Sequence, residues 1–163
     1  MLLLVLVGRE DLMPSQSLDA LDRALLRLLQ RDGRRPYTQL AKEVGLSEAA
    51  VRQRVQRMLD QQAMQIVAVT DPMQLGLSRQ AMVLIKVDGN VRDVADQLEK
   101  IVEVDYLVVT AGSVDLLAEV VVSDDDALFA LLNDQIRQIP GVLSTETIMY
   151  LSLRKQTYQW GTR

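Results

Sequence analysis

Arg52, Gln53, Arg54, Gln56 and Arg57 place five guanidinium or carboxamide heads within six residues. Those groups suit nucleic acid. A guanidinium can bridge guanine O6 and N7 or grip a phosphate, and a carboxamide can pair with adenine N6 and N7. Val51, Val55, Met58 and Leu59 recur among them at helical spacing and define a buried stripe. Ala49, Gln53, Gln56, Arg57 and Asp60 then point away from the core, with Arg52 and Arg54 on either flank. A recognition helix reads bases mainly with its N-terminal residues. Glu48, Ala49, Arg52 and Gln53 are therefore candidates for base edges, and Arg54 and Arg57 for phosphates. An ordinary solvated helix face is the plainer reading of the same residues.

The elements that would position this face are legible just before it. Ala41 is small enough for two helices to cross closely. Gly45 follows an apolar-periodic segment, where a residue with positive φ can end a helix. Leu46 can pack beneath the turn, and Ser47 is a good N-cap for the next helix. This spacing fits the tight turn of a helix-turn-helix. Tyr37, Leu40, Ala41 and Val44 outline a short preceding helix, with Pro36 suited to its first turn. Arg34, Arg35, Tyr37 and Thr38 at its start, together with Ser47 and Gln56, complete the candidate DNA-contacting set. A first helix runs from Leu18 to about Arg31. Leu18, Leu21, Leu25, Leu28 and Leu29 make its apolar face, and Asp19 and Asp22 sit in its first turn, where they complement the helix dipole.

Charge is divided unevenly. The 163-residue chain has a formal net charge of −4. Residues 18–64 nevertheless hold nine cations against six carboxylates, a net of +3. Residues 65–163 hold eight against fourteen, a net of −6. Positive charge is thus concentrated around the turn, as a phosphate-facing surface requires. Eight of its nine cations are Arg, the residue suited to bidentate contacts.

The remainder alternates Val- and Ile-rich runs with helical periods. Residues 65–71 read as one strand leaving the bundle, and Asp71-Pro72 with Gly76 mark a hinge. The pattern continues as strand 81–87, helix 91–101, strands 104–110 and 115–122, helix 125–138 and strand 142–153. That order is the ferredoxin-like βαββαβ unit. One sheet face takes both helices. The other, with Met82, Leu84, Leu117 and Val121 beside Lys86 and Glu119, is apolar enough to need cover. A second subunit is the natural cover.

These residues together resemble the Lrp/AsnC family, the leucine- and asparagine-responsive or feast/famine transcription factors of bacteria and archaea. The resemblance covers Leu18 to Arg163. It rests on Leu18-Asp-x-x-Asp22-x-x-Leu25-Leu26-x-x-Leu29, Asp32-Gly33-Arg34-x-x-Tyr37-x-x-Leu40-Ala41 and Val44-Gly45-Leu46-Ser47. It continues through Asp71-Pro72-x-x-Leu75-Gly76, Gly112-x-x-Asp115-x-Leu117 and Ile139-Pro140-Gly141-Val142. It implies an α+β chain: a three-helix (winged) helix-turn-helix domain joined by a linker strand to a C-terminal ferredoxin-like βαββαβ domain. It also implies homodimers through the sheet that assemble into octamers, double-stranded DNA as partner, and a small amino acid bound between C-terminal domains. The family's ligand loop falls on Thr110, Ala111, Gly112, Ser113 and Asp115, with Leu117 just beyond. Gly112 would let backbone N–H groups approach a carboxylate, and Asp115 would balance an ammonium. The family commonly has an aromatic residue before this Asp, and Val114 stands there instead. A tight turn in which Asp115 bonds its own backbone explains the same residues.

The domain boundaries expected are 18–64 for the DNA-binding domain, 65–80 for the linker strand and hinge, and 81–163 for the effector-binding and oligomerisation domain. Residues 1–17 read as an N-terminal extension, with Met13 a plausible start. Their apolar run is too short to span a membrane and lacks a basic leader. The chain has no Cys and no His. That excludes disulfides and thiolate metal sites and removes the commonest general base. No cofactor or metal is expected, and no membrane partner. The chain reads as a regulator rather than an enzyme, at work in the cytoplasm on the nucleoid. A DNA-wrapping architectural protein with little effector response is the alternative, and an enzyme on the ferredoxin-like fold a remote one.

Overall fold

The structure, a computed structural model, describes residues 18–157. The expected extension 1–17 lies outside the described residues. Two compact units are present, one running to Ala68 and one from Val69 to Arg154.

The first unit is three helices: α1 (Ala20–Arg31), α2 (Tyr37–Val44) and α3 (Glu48–Asp60). Asp19 and Asp22 start α1 as a reciprocal capping box, each carboxylate accepting from the other's backbone N–H. Gly45 ends α2 at φ +70°, in the left-handed region. Ser47 Oγ then accepts from the Ala50 N–H at 3.2 Å and starts α3. Leu25, Leu40, Val51, Val55 and Met58 are fully buried where the helices meet. Each such side chain stabilises the fold by roughly 1.5–3 kcal/mol. Leu26, outside the expected apolar face, also joins this core, whereas Leu59 is only partly buried.

The second unit is a four-stranded antiparallel sheet of β1 (Arg79–Val87), β2 (Val104–Val109), β3 (Leu116–Val122) and β4 (Val142–Met149). The strand order is β2-β3-β1-β4. Helices α4 (Val91–Leu98) and α5 (Asp125–Ala130) form the crossovers. The second continues past its α-helical part as a wider turn and a 3₁₀ turn to Gln138. Ala81, Val83, Ile85, Leu116, Ala118 and Val120 lie under Val94, Leu98, Leu128, Leu131 and Ile136. This is the expected βαββαβ order, with β4 ending at Met149 rather than at 153.

On the opposite face the register aligns Tyr106, Glu119, Met82 and Ile148 in one row. The next row is Val108, Leu117, Leu84 and Glu146. The helices of this unit do not cover that face. Ile148 keeps about half of its surface exposed (48%). Tyr150, beyond β4, donates its backbone N–H to Gln80 at 2.9 Å. Its phenol hydrogen-bonds Glu119. Burial, followed by the Glu119 charge and that bond, pushes its pKa up to about 12.

Residues 65–71 differ from expectation. They are not part of any ladder among the described residues. Their β-branched composition favours extension, but a strand exists only with a partner, and the segment has none here. Ile66, Val67 and Val69 stay about half exposed. A 3₁₀ turn follows at Pro72–Leu75, capped by Asp71.

Candidate functional site

Three of the expected DNA-contacting side chains converge at the start of α3. Arg52 Nη2 donates to Glu48 Oε1 at 3.0 Å, one helical turn away. The same guanidinium lies 5.1 Å from the centre of the Tyr37 ring, over its face. Tyr37 begins α2 and Glu48 begins α3, so the tight turn between these helices brings the pair to Arg52. The Arg52 side chain stays 64% exposed, so it is held in place and still accessible. Gln53 beside it is exposed and makes no side-chain hydrogen bond among the described residues. Ala49 is exposed next to them, leaving room above the helix.

The other candidates are distributed differently. Arg34 and Thr38 are exposed, and the Arg34 guanidinium is unpaired among the described residues. Arg35 is bound to Glu43. Ser47 is occupied as the α3 cap. Gln56 donates to Asp60 at 2.8 Å.

Arg54 and Arg57, expected at phosphates, turn back onto α1. Arg54 Nη1 donates to Asp19 Oδ2 at 2.6 Å and to Asp22 Oδ1 at 2.8 Å. Arg57 Nη2 donates to both Asp22 oxygens, at 2.8 and 2.7 Å. The Asp22 side chain is 2% exposed, and those of Arg54 and Arg57 are 24% and 38% exposed. The carboxylate is buried yet fully satisfied, as a buried charge must be. Asp19 is held below the usual Asp value, first by the Asp22 N–H and then by Arg54. Sequence reasoning gave Asp22 only a dipole role. The missed signal is that it falls within the run Leu18, Asp22, Leu25, Leu29, inside the stripe that helical spacing buries.

In the second unit the loop between β2 and β3 is closed by its own residues. Thr110 N–H donates to the Asp115 carbonyl at 2.8 Å, and Thr110 Oγ1 to the Val114 carbonyl at 2.6 Å. Asp115 Oδ2 accepts from the Val87 backbone N–H at 2.8 Å. Val87 sits where β1 loses register with β4, so this carboxylate satisfies a donor that the bulge leaves over. Asp115 Oδ1 makes no hydrogen bond among the described residues. Ala111, Gly112 and Ser113 are exposed at the loop tip, and Leu117 is half-buried on the uncovered sheet face. A Cβ added at Gly112 meets nothing within 4 Å. Among the described residues no group of carboxylates could hold a metal ion, and no helix is long and apolar enough to cross a membrane.

Known proteins share this arrangement. Residues 18–59 match the AsnC-type helix-turn-helix domain, and residues 80–160 match the Lrp/AsnC ligand binding domain. An uncharacterised HTH-type transcriptional regulator of Pyrococcus furiosus is 36% identical over 143 residues, covering 86% of this chain and 97% of its own. The leucine-responsive regulatory protein of Escherichia coli is 32% identical over 149 residues, covering 88% and 91%. Among solved structures, the feast or famine regulatory protein of Mycobacterium tuberculosis complexed with L-methionine superposes with a TM-score of 0.81. It is 32% identical and covers 88% of this chain and 98% of its own. The matched families and relatives are transcriptional regulators, not enzymes. A helix-turn-helix with an exposed polar face, followed by a βαββαβ unit, is thus a DNA-binding transcriptional regulator, and the chain belongs to the Lrp/AsnC family.

Proposed function

We propose that the protein is a sequence-specific regulator that reads duplex DNA with the N-terminal half of α3 and responds to a small amino acid. The observation that carries the DNA reading is the Tyr37–Arg52–Glu48 cluster beside the unengaged Gln53. Arg52 is oriented before DNA arrives, so little side-chain freedom is lost on contact. Gln53, Ala49 and Glu48 complete the base-reading edge, while Arg34 supplies phosphate contact. Two copies pair through the uncovered sheet face, which presents two copies of α3 to the two half-sites of one operator. Octamers of such dimers, at the nucleoid in the cytoplasm, follow the family pattern.

The effector reading rests on the loop 110–115. Its tip is exposed and Asp115 keeps one oxygen free for an ammonium, while Gly112 and Ser113 offer backbone N–H groups to a carboxylate. The L-methionine bound by the mycobacterial relative supports an aliphatic amino acid, and Val114 fits an aliphatic wall. Selection of operators from randomised duplexes, followed by affinity measurements on Gln53→Ala, tests the DNA reading. The variant should keep non-specific affinity and lose discrimination at one or two base pairs, each worth about 1–3 kcal/mol. Unchanged discrimination would remove Gln53 from the reading edge. Calorimetry with the twenty amino acids tests the effector, and no heat from any of them would refute it.

A further inference from the structure

We propose that Asp22 is a positioning residue that withholds Arg54 and Arg57 from the DNA backbone, so that α3 meets phosphate with fewer charges than its sequence carries. This rests on the DNA-binding reading above. The geometry is specific. A single buried carboxylate accepts from Arg54 once and from Arg57 through both of its oxygens. Asp19 takes a further bond from Arg54 at 2.6 Å. Two cations and two anions therefore form a closed, neutral set between α1 and α3.

Arg54 meets Asp22 through Nη1 and Arg57 through Nη2, so a phosphate that draws the full charge of either must pull it away from Asp22. That would leave a carboxylate with 2% exposure short of one of its two partners, and weakening the pairing of a buried charge is unfavourable. A phosphate offers each guanidinium one new ion pair but costs the buried carboxylate one of its two arginines. The internal pairing wins. Each arginine instead fixes the roll of α3 against α1, and so fixes which residues of α3 face outward. Base readout then falls to Arg52 and Gln53. Phosphate contact falls to cations without carboxylate partners, such as Arg34 and Lys42.

The slope of log affinity against log salt measures this directly, because each neutralised phosphate adds about 0.9 to its magnitude. The assay is anisotropy of a mixed-sequence duplex with the full chain, and three variants are compared with the parent protein. Arg34→Gln should flatten the slope by about 0.9, which checks the DNA reading itself. Arg57→Gln should leave slope and non-specific affinity unchanged, because Arg54 still neutralises Asp22 and the lost charge never met DNA. Asp22→Asn should free Arg57 and loosen Arg54, which Asp19 still holds, and should steepen the slope by about 0.9 and at most about 1.8. Between 50 and 200 mM salt that variant would lose up to about twelvefold more affinity than the parent. A role for Asp22 confined to holding the fold would not steepen the slope.

If Arg57→Gln flattens the slope as Arg34→Gln does, the inference is overturned while DNA binding stands. A folded Asp22→Asn with the parent's slope overturns it equally. If Asp22→Asn does not fold, Arg57→Gln alone decides. A parent protein with no salt-dependent affinity would overturn the DNA reading, and the inference with it.

Discussion

Gly45→Ala isolates the conformational demand of the helix-turn-helix turn. Gly45 has φ +70° and ψ 33°, and a Cβ built there meets nothing within 4 Å. The change therefore carries strain without steric clash. Forcing an L-residue into this region costs about 1–2 kcal/mol. Alanine also stiffens the unfolded chain, which returns about 0.4–1 kcal/mol. The net loss should be about 1 kcal/mol. For a domain of this size that lowers Tm by about 4–8 °C. Gly45→Asn should cost less, because asparagine adopts the left-handed region more readily. Gly112→Ala is the matched control, with open space and no left-handed φ, and should change Tm little. Thermal melts of the full chain, followed by helical circular dichroism, give the comparison. A Gly45→Ala protein as stable as the parent would refute the argument, since the turn would then not require left-handed backbone.

Leu84→Glu places a carboxylate among Leu117, Val108 and Glu146 on the uncovered face. It should leave a single chain in light scattering where the parent should be at least a dimer, and an unchanged mass would place the assembly surface elsewhere. Asp115→Ala should cost about 1–3 kcal/mol by orphaning the Val87 N–H, and Asp115→Asn should restore most of that. Both variants should weaken amino-acid binding by roughly 10- to 100-fold, through loss of an ion-paired hydrogen bond; unchanged affinity in calorimetry would move the site away from Asp115. Asp19 and Asp124 titrate below 3.8, chiefly through the backbone N–H groups they cap, and Asp125 does so through Arg79. A depressed folded pKa gives stability that is present above the unfolded value, so urea midpoints should fall as pH drops below about 4. Tyr150 works on the other side. Its raised pKa gives stability that is present below pH 10.0 and lost as pH rises through about 12, and a tyrosinate absorbance titration matching free tyrosine throughout would contradict it.

What was legible in the sequence were features set by neighbours along the chain. The helix cap at Ser47, the left-handed stop at Gly45, the Val51–Val55–Met58 stripe and the alternation in β1 and β3 all depend on residues within a turn or a strand of each other. Periodicity of 3.6 or 2 is enough to find them. The order of these elements then restricts the fold to very few arrangements, and the helix-turn-helix and βαββαβ units followed. The strand expected at 65–71 shows the limit, because β propensity describes a surface that suits a partner and does not supply one.

Tertiary structure decided which polar groups are available. Arg54 and Arg57 look like any other exposed cations until α1 brings Asp22, 32 and 35 residues away in sequence, under them. Arg52 acquired a fixed position only when the turn carried Tyr37 beneath it. Asp115 acquired a duty to Val87 because β1 and β3 are neighbours in the sheet, 28 residues apart in the chain. Residue type and helical phase state what a side chain can do. Whether it is already committed depends on burial and on partners distant in sequence, because a desolvated charge must be paired before anything else can bind it.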